Sequence, residues 1–368
     1  MPKNPSAAGF SPWPHRLALA VLGGTAALVF VGGLVTTYKA GLAVPDWPTT
    51  FGYGMFTYPL TRWLYGPWQV FIEHGHRLLG ALVGLLTIAL AVLLQWKDPR
   101  RWVRRLGWVA LALVIFQGTL GGMRVVLRQQ TLALVHGCTA PVFFSLVALL
   151  AVVTGRRWLQ AGEEPAWQNL LPSLAVRLGR LLRCVTLLAG LVYVQIVLGA
   201  VLRHFPETAS WRAFVLVLMF HLTVALLVLG HVLAGAWLAR GLPPRGWLAR
   251  PALLAGGLLL VQLTLGVFTW GFKYAWPGFL GHTAWAQRWL NVAYSGPQVL
   301  TTTAHVLTGS LILATSVVWL ARTVRVHGLV RAGAAVAEPQ PVRNTAALKT
   351  TLVPVALAAG GSLLLENP

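Results

Sequence analysis

Residues 69–94 read QVFIEHGHRLLGALVGLLTIALAVLL. From Leu78 onward the stretch is almost wholly apolar, and at 1.5 Å per residue it is long enough to cross a bilayer as a helix. Its first third carries Glu73, His74, His76 and Arg77. A charged side chain near the bilayer centre costs roughly 2.5–3.5 kcal/mol on insertion scales, so it is kept where partners or a function offset that cost. The segment therefore predicts a membrane-spanning helix with a site built into one end.

The rest of the chain repeats the apolar part of that pattern. Of 368 residues, 57% are hydrophobic and 10% charged. Apolar runs of about 20 residues, the length of a span, fall at 17–37, 69–94, 106–127, 131–153, 181–202, 212–238, 251–271 and 298–320. The expected fold is an all-α integral membrane protein of eight transmembrane helices. The formal net charge of +21 does not mark a nucleic-acid-binding domain, because the basic residues sit in short loops between apolar runs. Lys97–Arg105, Arg156–Arg183, Arg240–Arg250 and Arg322–Arg331 supply most of that charge, on the side that also carries the N-terminus. The positive-inside rule makes that side cytoplasmic, both termini included, in the cell (inner) membrane. The 17 tryptophans suit interfacial belts. Cys138 and Cys184 form neither a disulfide framework nor a CxxC site and read as inert core thiols.

This order divides the chain into a cytoplasmic arm (1–16), a first four-helix half (17–154) with an external loop at 38–68, and a cytoplasmic linker (155–180). A second four-helix half (181–320) and a cytoplasmic tail (321–368) follow. Within the tail, 351–365 is apolar enough to associate with a membrane but short for a ninth span. The halves read as repeats. Gln117-Gly-Thr-Leu-Gly121-Gly122 in the third span, Gln195-Ile-Val-Leu-Gly199 in the fifth and Gln262-Leu-Thr-Leu-Gly266 in the seventh share one pattern. Such glycines admit either a flat ligand or a closely packed neighbouring helix.

Of ten histidines, His15 and His327 fall in cytoplasmic flanks, and His204 and His282 in external loops, where solvated side chains are expected. His76, His136, His221 and His305 each stand near the external end of an even-numbered span, two per half, within about two turns of one depth. A packed histidine explains any one of them, but four at matched depth on repeat-related helices point to ligation. Paired imidazoles from facing helices are what bis-histidine haem iron requires. Zinc would want three or four ligands converging on one point. His74, about 200° round the helix from His76, and His231, about 15 Å deeper than His221, read as polar packing residues. The halves also differ. Glu73 lies one turn before His76 on the same face and Arg77 directly follows it, where the equivalent positions around His221 are Leu218 and Leu222. An internal Glu73–Arg77 ion pair would account for both charges without excluding a role in chemistry.

Taken in order, these motifs resemble the haem A synthase family. The resemblance covers about residues 20–320 and rests on GGLVTTYKAGLAVPDWPTTFG (32–52), EHGHRLLG (73–80), QGTLGGMRV (117–125), LALVHG (132–137), LGAVLRH (198–204) and the single histidines of the sixth and eighth spans. It implies oxidation of the C8 methyl of haem O to the formyl of haem A, by successive hydroxylations with loss of water, for assembly of a terminal oxidase. It implies a substrate haem O in the first half, with His76 and His136 as its axial pair and Glu73 as the essential acidic residue, and a haem b cofactor held by His221 and His305 in the second. The partners implied are the lipid bilayer, haem O with haem O synthase as its source, and an unidentified electron donor; a homo-oligomer is compatible with this. The chain departs from the family in lacking the cysteine pair many bacterial members carry in the first external loop, and in having Leu222 after His221 where many have Arg. The tail past about residue 330 lies outside the resemblance.

The external loop's Tyr38, Trp47, Phe51, Tyr53, Phe56 and Tyr58 would cap the substrate site or form an aromatic belt, and Arg77, Lys39 or Arg124 would meet haem propionates. Two other functions compete. A di-haem b electron-transfer cytochrome would contain haem b alone, and a transporter built from two repeats would contain none. A prenyltransferase is disfavoured because Asp46 and Asp98 are the only aspartates and form no magnesium-binding pair.

Overall fold

A computed structural model describes residues 11–161, 172–242 and 246–337. In chain order the helices are α1 (Trp13–Thr37), α2 (Leu60–Leu64), α3 (Trp68–Lys97), α4 (Arg101–Val126), α5 (Gln130–Thr154), α6 (Arg156–Gln160), α7 (Pro172–Arg203), α8 (Trp211–Ala239), α9 (Ala249–Lys273), α10 (Gly278–Gly281), α11 (Ala284–Trp289) and α12 (Gly296–Ala337). Eight of them, α1, α3, α4, α5, α7, α8, α9 and α12, are long and apolar enough to cross a membrane. The protein is an all-helical, multi-pass membrane protein, because only a helix satisfies every backbone group of a lipid-exposed segment from within.

Local chemistry sets the helix ends. Pro67 precedes α3, where the N–H that proline lacks would have no intrahelical partner. Pro99 pushes Asp98 to extended backbone and ends the same helix. Ser210 caps α8 by accepting from Ala213 N at 3.2 Å. Two helices overrun the boundaries expected from hydropathy by the most. α7 begins at Pro172, inside the expected 155–180 linker, and α12 continues to Ala337, past residue 320. Hydropathy stops where arginines begin, whereas a helix can project beyond the bilayer with its backbone bonds intact. The stretch 351–365 lies outside the described residues.

One apolar core joins α1, α3, α4 and α5 through Val21, Val83, Leu90, Val103, Ala110, Phe143 and Leu150. A second joins α7, α8, α9 and α12 through Leu181, Val185, Val232, Ala255, Leu259, Ile312 and Trp319. Phe144 and Ala148 of α5 meet Ala314 of α12 between them. Small residues allow the close approaches: Gly33 of α1 faces Thr303, Gly107 of α4 faces Ala91 and Leu94, and Gly235 of α8 receives the Trp319 ring. This packing gathers the histidine-bearing ends of α3, α5, α8 and α12 on one side of the bundle.

Candidate functional site

His76, His136, His221 and His305 stand about two to three turns into α3, α5, α8 and α12 from that shared end. Each imidazole lies against a glycine of the preceding long helix. A methyl group at Gly32 of α1 would come within 2.9 Å of His76 Cε1, and one at Gly121 of α4 within 3.1 Å of His136 Cε1. The corresponding distances are 3.2 Å for Gly199 of α7 and His221, and 3.3 Å for Gly266 of α9 and His305. The repeated glycines thus make room for an imidazole, a use that sequence reasoning left undecided between a ligand and helix packing.

The glutamine one turn before three of these glycines contacts the same ring. Nδ1 of His136 donates to the Gln117 carbonyl at 3.1 Å, and Nδ1 of His305 to the Gln262 carbonyl at 3.2 Å. A carbonyl can only accept, so these bonds place the proton on Nδ1 and leave Nε2 with its lone pair. The side-chain amides of Gln195 and Gln262 reach Nε2 of His221 and His305, both at 3.1 Å. At His76 the pattern breaks. Leu28 stands where the others have glutamine, and His76 Nδ1 is buried without a partner, as is Nδ1 of His221.

His136 lies within electrostatic reach of His76, and His221 of His305. Among the described residues no group of three or more His, Cys, Asp or Glu side chains converges as a metal-ion cage would. Two imidazoles without thiolate or carboxylate suit a porphyrin iron better than tetrahedral zinc. The orphaned Nδ1 atoms and the Nε2 atoms met only by an amide fit such a ligand.

Glu73 and Arg77 form the i, i+4 pair at 3.2 Å, with side chains 4% and 9% exposed. The pair also grips the external loop. Glu73 Oε2 accepts from Val44 N at 2.8 Å, while Arg77 donates to the carbonyls of Val44, Asp46 and Thr49 at 2.7–3.0 Å. His74, fully buried, meets Thr50 Oγ1 at 3.1 Å and packs against Tyr58 and Trp63, the polar packing role expected of it. Arg124 of α4 donates to the Gly41 carbonyl, and the Trp47 ring sits on Gly122 where no Cβ would fit. The loop tip is closed by Asp46, whose carboxylate accepts from Phe51 N and Gly52 N at 2.7 and 2.8 Å. Burial acts to raise the Asp46 pKa, but these bonds and one from Thr49 outweigh it and hold the carboxyl below its usual range. Arg77 and Arg124, expected to meet propionates, are thus engaged with loop carbonyls.

Other expectations need correction. His15 and His204, expected to be solvated, are half-buried: His15 Nδ1 donates to Ala151 O at 2.8 Å, tying the start of α1 to the end of α5. His282 is exposed, and His231 bonds Leu227 O within α8. Cys138 and Cys184 are free thiols. Arg203 of α7, which sequence reasoning passed over, crosses to α1 and donates to Gly33 O at 2.8 Å and Thr37 Oγ1 at 2.7 Å. The repetition of QxxxG one span before three of the histidines was the available signal for the glycine seats. Nothing in the local sequence marked the loop contacts.

A family described as COX15-CtaA, Cytochrome oxidase assembly protein, matches residues 67–214, a segment that contains Glu73, His76 and His136. A protein of Beijerinckia indica subsp. indica named "Heme A synthase" is 31% identical over 259 residues, 62% of this chain and 71% of the relative. Proteins with the same name from Symbiobacterium thermophilum and Alkalihalophilus pseudofirmus are 27% identical over 231 residues and 34% identical over 145. These alignments cover 57% and 38% of this chain, and 73% and 46% of the respective relatives. For the Alkalihalophilus protein the chain therefore spans about half the relative's length. No solved structure matches. With the histidine seats and eight spans in place, and with the match to the Beijerinckia protein covering more than two thirds of that relative, the chain belongs to the COX15-CtaA family of haem A synthases.

Proposed function

We propose that the protein oxidises the C8 methyl of haem O to the formyl group of haem A, with His76 and His136 as axial ligands of the substrate iron and His221 and His305 as ligands of a resident haem b. The observation that carries this reading is the set of four imidazoles, each seated on a glycine, with His136 within electrostatic reach of His76 and His221 of His305. Haem b, when bound, would supply one-electron chemistry beside the substrate. The remaining contributions come from side chains. The Gln117 and Gln262 carbonyls hold the Nδ1 protons of His136 and His305 and so leave Nε2 with the lone pair a ligand needs, the Gln262 amide giving way at His305, as outer-sphere partners of ligating histidines do. His76, alone of the four, has no glutamine bonded to its ring, which suits the ligand of a haem that must arrive and leave.

Glu73 is the acidic residue of the substrate site, one turn outward of His76. Both of its oxygens are engaged, by Arg77 and by Val44 N, so an electrostatic and loop-holding role is better supported than proton transfer. The loop over α3 and α4 would keep water from the reacting methyl group. The histidine end faces the exterior and both termini the cytoplasm, on the charge distribution of the loops. Haem O would lie in the first half, 17–154, and haem b in the second, 181–320. The partners are a haem O source and an electron donor.

The test is co-expression with a haem O source followed by extraction of the pigments bound to the purified protein. Haem O or A beside haem b supports the synthase. Haem b alone, at two per chain, would overturn it in favour of the electron-transfer cytochrome. Undiminished haem A from Glu73→Ala would remove Glu73 from the reaction.

A further inference from the structure

At the end of the bundle opposite the histidines, three buried donors have no acceptor: Trp247 Nε1, Arg322 Nε and Arg325 Nε. They belong to one cluster. The Trp158 and Trp247 rings lie 6.3 Å apart, the Arg322 guanidinium stands 5.0 Å from the Trp247 ring centre, and that of Arg325 stands 5.3 Å from the ring centre of Trp158. Trp102 extends the row 6.5 Å beyond Trp158, with Arg100 over its face at 5.4 Å. Arg157 and Arg250 lie within electrostatic reach of Arg322, and Arg100 of Arg325. The nearby carboxylate, Asp98, is already chelated by Arg100 at 2.9 and 2.6 Å. Arg322 also donates one Nη1 bond to Trp247 O at 3.2 Å.

Buried polar groups are normally satisfied, and leaving one unpaired costs about 1–3 kcal/mol. Here the unpaired groups are all donors, inside a cluster of cations with no free counter-charge among the described residues. That chemistry selects an anion with several acceptor oxygens. Guanidinium forks over tryptophan faces match a phosphate in particular. Position indicates the source. Arg322 and Arg325 lie roughly 40 Å along α12 from Gly296, against a bilayer about 40–45 Å thick including its headgroups. The cluster therefore sits at headgroup depth, where basic pockets between helices take anionic lipids.

We propose that Trp247, Arg322 and Arg325, with Arg157 and Arg250 at the rim, form a phosphate-binding site that takes the headgroup of an anionic phospholipid at the junction of α6, α9 and α12. The site is independent of the haem reading.

The full-length protein, delipidated in mild detergent, would be titrated with phosphatidylglycerol and with phosphatidylcholine and the bound lipid counted by native mass spectrometry. Wild type should retain phosphatidylglycerol preferentially. Arg322→Gln/Arg325→Gln should weaken that retention at least about tenfold, since hydrogen bonds to charged groups are the stronger class. Trp247→Phe keeps an aromatic face but loses the pyrrole ring with its Nε1 donor, and should weaken it a few-fold. Arg322→Lys/Arg325→Lys keeps the charge but loses the planar forks, and should fall between wild type and the Gln variant. Competition by inorganic phosphate without phosphatidylglycerol preference would assign the same site to a soluble phosphate ester. Equal retention of the two lipids with no phosphate competition would overturn the proposal, as would unchanged binding in Trp247→Phe and the Lys variant, which need no large refolding.

Discussion

Substitution of Glu73 by alanine tests how the external loop is held. The carboxylate is 4% exposed, accepts from Val44 N at 2.8 Å and pairs with Arg77 at 3.2 Å. Removing one partner of a buried ion pair costs about 3–5 kcal/mol, because the other charge is left uncompensated. Arg77 would keep its carbonyl acceptors on Val44, Asp46 and Thr49, which places the expected cost near the lower end of that range. A cost of about 3 kcal/mol raises the population of the opened loop roughly a hundredfold. Hydrogen–deuterium exchange of residues 40–53 in the purified full-length protein would read this directly, with amides of α12 as the unchanged reference. Glu73→Gln retains an acceptor for Val44 N and loses only the charge, so the loop should open by roughly tenfold, the value of a charge-assisted hydrogen bond. If residues 40–53 exchange at wild-type rates in Glu73→Ala, the loop-holding argument is wrong. If Glu73→Gln keeps the loop closed but abolishes haem A, the charge acts on the reaction itself.

Four other outcomes are expected. His221→Ala or His305→Ala should lose haem b while the first-half pigment persists, and His76→Ala or His136→Ala should do the reverse, as read by absorption spectra of the purified protein. Leu28→Gln gives His76 the glutamine that the other three histidines have, and should slow transfer of haem from the first half to apomyoglobin; an unchanged rate would refute the assigned lability. Gly122→Ala puts a Cβ into the Trp47 ring and should open the same loop peptides as Glu73→Ala, with α3 and α5 still protected. Asp46 has a folded pKa below its unfolded value of about 3.9, so its contribution to the loop tip is present above that pH and is lost as pH falls through the folded pKa. Protection of Phe51 and Gly52 should therefore fall in acid for wild type and lose that dependence in Asp46→Asn.

The seats of the histidines illustrate what a pattern conveys. Spacing along each helix put four imidazoles at one depth and marked glycines at a recurring QxxxG, because depth and face follow from rise and rotation per residue. Which glycine meets which histidine depends on how neighbouring helices are turned and stacked. Leu28 beside His76 became informative only when Gly32 was found to hold the same place as Gly121, Gly199 and Gly266.

The stretch 69–94 by itself determined that this is a membrane helix with a polar site near one end, since apolar length and the cost of intramembrane charge are local properties. It also determined the i, i+4 relation of Glu73 and Arg77. It did not determine what the pair holds. The bonds to Val44, Asp46 and Thr49 join residues about thirty positions apart, and they exist because the loop folds back over α3 and α4 with Trp47 seated on Gly122. The same holds at the opposite end, where Trp158, Trp247, Arg322 and Arg325 come from helices distant in sequence. Sequence fixes what a helix can bury; tertiary packing decides which donors and acceptors meet there, because only the folded arrangement sets which polar groups are removed from water together.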